Sequence, residues 1–213
     1  MSRKILLTLL AFSLLVVAET AAQKYPQFKY IGFDAGVNMA GIRSSEIYDR
    51  HLRNFGMNFC VSGIYSFTEQ TSVGSALAFE QKGAADNIFD INTNLNYLTL
   101  PVYMKWDFGK EPRLFLTAGI YSGWLVSAGR KGKQSSGGNV IEIRENVTDN
   151  FRSFDGGLHM STGMMVRLYD DFDFMIAVRG SYGLMKIKTQ PDHQPKNYHL
   201  YISLGYIYYI GFR

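Results

Sequence analysis

The stretch YHLYISLGYIYYIGFR, residues 198–213, decides how the chain is read. Every second residue from Tyr198, through Leu200, Ile202, Leu204, Tyr206, Tyr208, Ile210 and Phe212, is apolar or aromatic. Between them lie His199, Tyr201, Ser203, Gly205, Ile207, Tyr209, Gly211 and Arg213, a mixed set of mostly small or polar residues. A period of two belongs to a β-strand whose two faces meet different surroundings. A face this completely apolar needs cover along its whole length. The same alternation recurs upstream and predicts strands at about 27–40, 56–67, 71–83, 95–108, 112–127, 154–169 and 172–187, with the quoted stretch as the eighth at 197–213.

Composition agrees with dispersed rather than clustered apolar residues. The chain has 213 residues, one domain or at most two. Only 19% are charged, yet mean hydropathy is −0.08, as strands that alternate in polarity would give. Tyr (14), Phe (15) and Gly (21) are abundant, and they are the usual stock of barrels. A scattered formal charge of +4 gives no footprint for nucleic acid. Cys60 is the single cysteine, which excludes an intramolecular disulfide and a cysteine zinc cage.

The first residues read as a separate object. Arg3 and Lys4 precede the apolar run ILLTLLAFSLLVVA (5–18), and TAAQ (20–23) offers small residues for cleavage after Ala22. Residues 1–22 are predicted to be a secretory signal peptide, which leaves 23–213 as the barrel domain. The run is too short to span a bilayer, which takes about 20 residues in a helix.

Parity and height identify the covering layer. In 97–108, Leu98, Leu100, Val102, Met104, Trp106 and Phe108 oppose Tyr97, Thr99, Pro101, Tyr103, Lys105 and Asp107. Residues 154–168 and 172–184 sort in the same way, with charges on the polar set. Lys29 and Lys186 depart from this and lie at strand ends, where a long side chain can snorkel to headgroups. Turns at 68–70, 109–111 and 170–171 are short, while links around 41–55, 84–94, 128–153 and 188–196 are long. Aromatics of the apolar set gather near the turns (Trp106, Phe108, Phe172, Phe174, Tyr206, Tyr208, Phe212) and near the loops (Trp124, Phe154, Tyr182, Tyr198), with aliphatics between. Two girdles around an aliphatic band are the lipid-facing pattern. The expected fold is all-β: an eight-stranded antiparallel up-and-down transmembrane β-barrel, lipid-covered, its last strand closing on its first.

The segments FEQKG (79–83), YLTLPVYMKW (97–106), FLTAGIYSGWLV (115–126) and RGSYGLMKI (179–187) resemble the PorT-like outer-membrane β-barrel family. The resemblance covers essentially the whole mature chain, and its motifs are strand patterns. It implies an eight-stranded barrel in the outer membrane of a Gram-negative bacterium. The family's namesake belongs to a protein-secretion apparatus.

The inward set supplies Asp34, Glu80, Lys82, Lys105, Asp155, His159, Arg167 and Arg179. In a lumen that eight strands leave only wide enough for side chains, these are expected to pair as a polar network, with Arg179 meeting Glu80 or Asp34. No catalytic, metal or cofactor motif is present; DINTN (90–94) opens like a calcium loop but has Leu95 at the turn-glycine position. The basic GRKGK (129–133) offers Arg130, Lys131 and Lys133 to lipopolysaccharide phosphates, and NVIEIRE (139–145) suggests an extra strand pair within the same long loop. The expected function is a non-enzymatic outer-membrane barrel that contacts lipid, lipopolysaccharide or a protein through its loops. The alternatives are a small lipid-modifying enzyme with His51 and His193 at the outer rim, or an accessory barrel of a secretion system.

Overall fold

The computed structural model describes residues 27–43, 51–86, 91–136, 139–188 and 196–210. The expected signal peptide, Phe212, His193 and the side chain of His51 lie outside the described residues. Among the described residues nine strands follow one another: β1 (Gln27–Arg43), β2 (His51–Ser66), β3 (Thr71–Asp86), β4 (Ile91–Phe108), β5 (Arg113–Ser136), β6 (Asn139–Asn146), β7 (Phe154–Tyr169), β8 (Phe172–Gly183) and β9 (Lys196–Tyr209).

Eight of them close into an antiparallel barrel. The order runs β4-β3-β2-β1-β9-β8-β7-β5, and β4 pairs with β5 to complete the ring. The closing seam between β9 and β1 runs from Tyr30 opposite Tyr209 to Arg43 opposite Lys196. Closure leaves no strand edge within the wall, which a chain in hydrocarbon requires. Among the described residues the ninth strand, β6, pairs only with the far end of β5.

The turns follow from local chemistry. At 67–70 the Thr68 hydroxyl accepts from the backbone N–H of Thr71 at 2.9 Å and of Gln70 at 3.3 Å. At 109–112, Gly109 takes φ +77°, which a Cβ would resist. On the opposite side the strands run further than the alternation alone suggested. Residues 41–43, 51–55, 84–86 and 91–94 are strand, and β5 continues to Ser136. The third long link is largely a β5–β6 hairpin, with Gly129 opposite Asn146 and Ser136 opposite Asn139. Beyond β8 the expected strand to 187 stops at Gly183. Leu184 instead donates its N–H to Gly156, and Arg152 donates to Ile187.

Side-chain facing matches the alternation across the middle of the wall. Along β9 every second residue from Leu200 to Tyr208 is exposed, and every intervening one is buried. Ile202 is 55% exposed and Ser203 0%. The apolar exposure continues around the ring, as at Val37 (64%) and Ile120 (64%). Surface this apolar and this continuous is a membrane face, not a soluble one.

Lys29 overturns its expected position. It is 2% exposed and points into the lumen instead of snorkelling outward. The pairing of β1 with β2 slips between Phe28 and Tyr30. A bulge adds one residue to a strand and reverses facing beyond it. Phe28 is therefore outward, while Lys29 and Tyr30 are both buried.

Candidate functional site

The lumen is built in tiers. At the turn end, Asp107 of β4 accepts from Lys29 Nζ at 3.4 Å and is also paired with Lys105. Nearby, Tyr209 donates its hydroxyl to Asp173 Oδ2 at 2.7 Å, and Arg113 donates to the Tyr209 oxygen at 3.4 Å. Above these lies an apolar and aromatic layer of Tyr30, Ile64, Phe115, Met165, Met175 and Ile207, with Tyr103 against it. Lys105 extends into that layer, its ammonium 5.1 Å from the Phe115 ring centroid.

The next tier holds an ion pair between residues 145 apart in sequence. Arg179 of β8 donates to Asp34 of β1 at 2.7 Å, so of the two acids considered it takes Asp34. Its guanidinium lies 5.7 Å from the Tyr201 ring. His159 meets the Ser181 hydroxyl at 3.3 Å, and its ring lies 5.7 Å from that of Tyr103. His199 stacks on Tyr201 at 5.3 Å, with its Nε2 3.4 Å from Glu80 Oε1.

Lys82 joins the last two acids. Its ammonium is 3.3 Å from Glu80 and 3.4 Å from Asp155, and 4.4 Å from the Tyr121 ring centroid. Asp155 Oδ2 also accepts from Tyr121 at 3.1 Å and Asn197 at 3.0 Å. The buried charges of these tiers thus have opposite charges or hydrogen-bond donors beside them, the condition under which burial is tolerated. A second apolar cluster caps the loop end, where Val147, Phe151 and Ile187 from the segments after β6 and β8 pack on Ile42, Ala84, Leu95 and Tyr97.

Of the eight residues expected in the lumen network, seven are buried there and Arg167 is not. Arg167 sits at the turn-side rim, its side chain 43% exposed, held by Glu111 at 2.6 Å. It pairs with Asp173 in register, at the last inward position before the turn. Tyr121 and Asn197, both on inward parity, complete the surroundings of Asp155. Asp107 and Asp173, both on the inward parity of their strands, form a second charged tier together with Lys29. Among the described residues no group of His, Cys, Asp and Glu could hold a metal ion.

The girdle residues are outward where described. Phe172 and Tyr208 pair across β8–β9 at 5.0 Å, Phe174 and Tyr206 at 5.6 Å, and Trp124 and Phe154 across β5–β7 at 6.0 Å. Trp106, Phe108 and Tyr198 share that outer face.

The cationic stretch divides. β4 and β5 pair Tyr97 with Leu125 but Asn96 with Ser127, so Val126 is an extra residue. Leu95 and Ala128 beyond it are both buried. Counting from Ala128, Arg130 lies on the inner side of the wall, opposite Glu145 in register. Lys131 and Lys133 lie on the outer side, opposite Arg144 and Glu142. The three cations therefore do not share one face, and Arg144 lies on the outer face with Lys131 and Lys133.

A closed ring of eight strands, apolar outside and ion-paired inside, defines an integral outer-membrane β-barrel. The family model described as "Outer membrane protein beta-barrel domain" matches residues 21–189, and the chain belongs to that family. Among solved structures, Neisserial surface protein A superposes with TM-score 0.51 at 15% identity, covering 84% of this chain and 96% of that one. OprG from Pseudomonas aeruginosa superposes with TM-score 0.50 at 10% identity, covering 89% and 99%. At these identities the likeness is one of fold. No curated protein matches the sequence.

Proposed function

We propose that the protein is a non-enzymatic, non-conducting outer-membrane barrel, exported by a signal peptide cleaved after Ala22. In this reading it acts through the part of its wall that rises above the membrane on the loop side. The observation that carries the reading is how little space the middle of the lumen holds. Among the described residues, a void between the two charged tiers, lined by Tyr103, His159, Met175 and Arg179, is about 20 Å³. That is room for about one water. A hydrated ion crossing the barrel would have to break Asp34–Arg179 and the Lys82 cluster in turn.

Planar-bilayer recording of the purified full chain tests this. The expected result is a flat baseline. Reproducible unitary steps that survive removal of native porins sink the reading. The accessory-barrel role implied by PorT-like proteins would add a partner at the extended hairpin. Replacing 131–144 by Asn-Gly joins the register partners Arg130 and Glu145 through a favoured two-residue turn. The barrel should still fold, and cross-links formed by the outer loops in cells should disappear. The rim-enzyme alternative rests on His51 and His193, whose side chains lie outside the described residues.

A further inference from the structure

We infer that the outer face of the β4–β5–β6 wall is a binding site for the phosphorylated sugar headgroup of an outer-leaflet glycolipid. The inference rests on the reading of the chain as an outer-membrane barrel and names one ligand for the hairpin. It begins with the Val126 bulge. Without that extra residue, Arg130 would face outward and Lys131 inward. With it, Lys131 and Lys133 emerge on the same side as Leu98 and Trp124, in line with the lipid-facing band.

The register then creates a charge problem on that side. Lys131 stands directly opposite Arg144, both exposed. Like charges directly opposite on one face destabilise a strand pair. Lys133, next along, is opposite Glu142, so three cations meet one carboxylate on this face. A phosphate bridging Lys131 and Arg144 would turn repulsion into charge-assisted hydrogen bonds. The space exists: a depression of about 250 Å³ is bordered by Asn92, Lys131, Lys133, Glu142 and Arg144.

Height selects the ligand. Lys131 lies seven positions beyond Trp124 of the loop-side girdle, one of them the bulge. At about 3.4 Å per residue and a tilt of 35–45°, that places it roughly 15–20 Å above the ring of aromatics. Acyl chains end at the girdle, so what stands beside Lys131 and Arg144 is the sugar portion of a lipid. Below the cations the outward positions include the uncharged amides and hydroxyls of Asn94, Asn96 and Ser127, and Asn96 donates to Ser127 at 2.9 Å. Such groups suit sugar hydroxyls. Cations above neutral hydrogen-bonding groups above an apolar band match, layer for layer, a glycolipid with phosphate on its sugars.

The test uses the full-length barrel in detergent with purified lipopolysaccharide, its dephosphorylated form, or neither, and counts glycolipid retained per barrel by native mass spectrometry. The Lys131→Gln/Lys133→Gln/Arg144→Gln variant is expected to retain about tenfold less than the unaltered protein, because charge-assisted contacts to phosphate are the strong ones. Dephosphorylated glycolipid should show the same loss on the unaltered protein. Retention should fall as salt rises, since exposed charges are screened over ~8 Å at physiological ionic strength. Arg130→Gln, on the other side of the wall, should retain glycolipid fully. The inference is overturned if the triple variant binds as well as the unaltered protein, if dephosphorylation makes no difference, or if Arg130→Gln loses as much. None of these outcomes touches the non-conducting reading, which only the bilayer recordings can sink.

Discussion

The Asp34–Arg179 pair gives the most direct measure of whether the lumen excludes water. The two residues are 145 positions apart in sequence and meet at 2.7 Å across the barrel. The Asp34 side chain is 0% exposed and that of Arg179 10%. Arg179→Met keeps the stem and deletes the charge. Asp34 is then left as a buried carboxylate, and among the described residues its other oxygen already has no hydrogen-bond partner. Breaking a buried pair from one side typically costs ~3–5 kcal/mol, most of it the stranded charge. In the Asp34→Leu/Arg179→Met double variant no charge is stranded, and the expected cost returns to near zero. The control lies in the same barrel. Arg167–Glu111 is a tighter contact at 2.6 Å, yet its side chains are 43% and 50% exposed. Arg167→Met should cost ~0–1 kcal/mol, since solvent screens such a pair. The assay is equilibrium guanidinium unfolding in lipid vesicles, followed by the fluorescence of Trp106 and Trp124. A cost below about 1 kcal/mol for Arg179→Met, or a double variant as unstable as the single, would show that water reaches the pair.

Ile202→Arg, at 55% outward exposure in mid-band, should destabilise the barrel by ~2–4 kcal/mol, and Tyr208→Arg near the turn-side girdle by ~0–1 kcal/mol, in the same unfolding assay. Equal costs would contradict the assigned depths. Phe151→Ala removes the largest apolar side chain that the segment after β6 contributes to the loop-end cap, and should lower stability by about 3 kcal/mol. It should leave the bilayer baseline flat, because the ion pairs beneath the cap are untouched. N-terminal sequencing of the protein from purified outer membranes should begin at Gln23; a start at Met1 would refute the cleaved leader.

The alternation made the ring, its two faces and most of the lumen legible for one physical reason. Hydrocarbon tolerates no unpaired charge, so a charged residue within a strand has only the interior open to it. Glu80, Lys82, Lys105, Asp155, His159 and Arg179 could be placed by parity alone. The partner each one takes depends on strand stagger, which parity leaves open. Arg179 had two acids within reach of the argument, and the closing register of β9 on β1 brings Asp34 into range. Tyr121 and Asn197 carry no charge and so gave no warning that they complete the surroundings of Asp155.

Two of the departures from the alternation share a cause. Lys29 and the split between Arg130 and Lys131 both follow from single-residue bulges, and one extra residue reverses every facing beyond it. At Lys29 the alternation had already failed, because a cation fell on the outward parity of an apolar strand. A one-residue slip and a snorkelling lysine explain that failure equally well from sequence. They differ in what they require nearby: a slipped lysine needs an inward acid at the same height. Asp107, at the turn end of β4, was such an acid. At GRKGK the alternation could not fail, since adjacent cations occupy both parities and either register puts charge on both sides. Only the pairing of Asn96 with Ser127 selects one. A run of like charges in a barrel strand therefore hides its own register, and the residue that reveals it lies on the returning strand. Arg144, alone among its neighbours in matching the sign of the residue it faces, is what turns a solvated basic stretch into a site with a ligand to be tested.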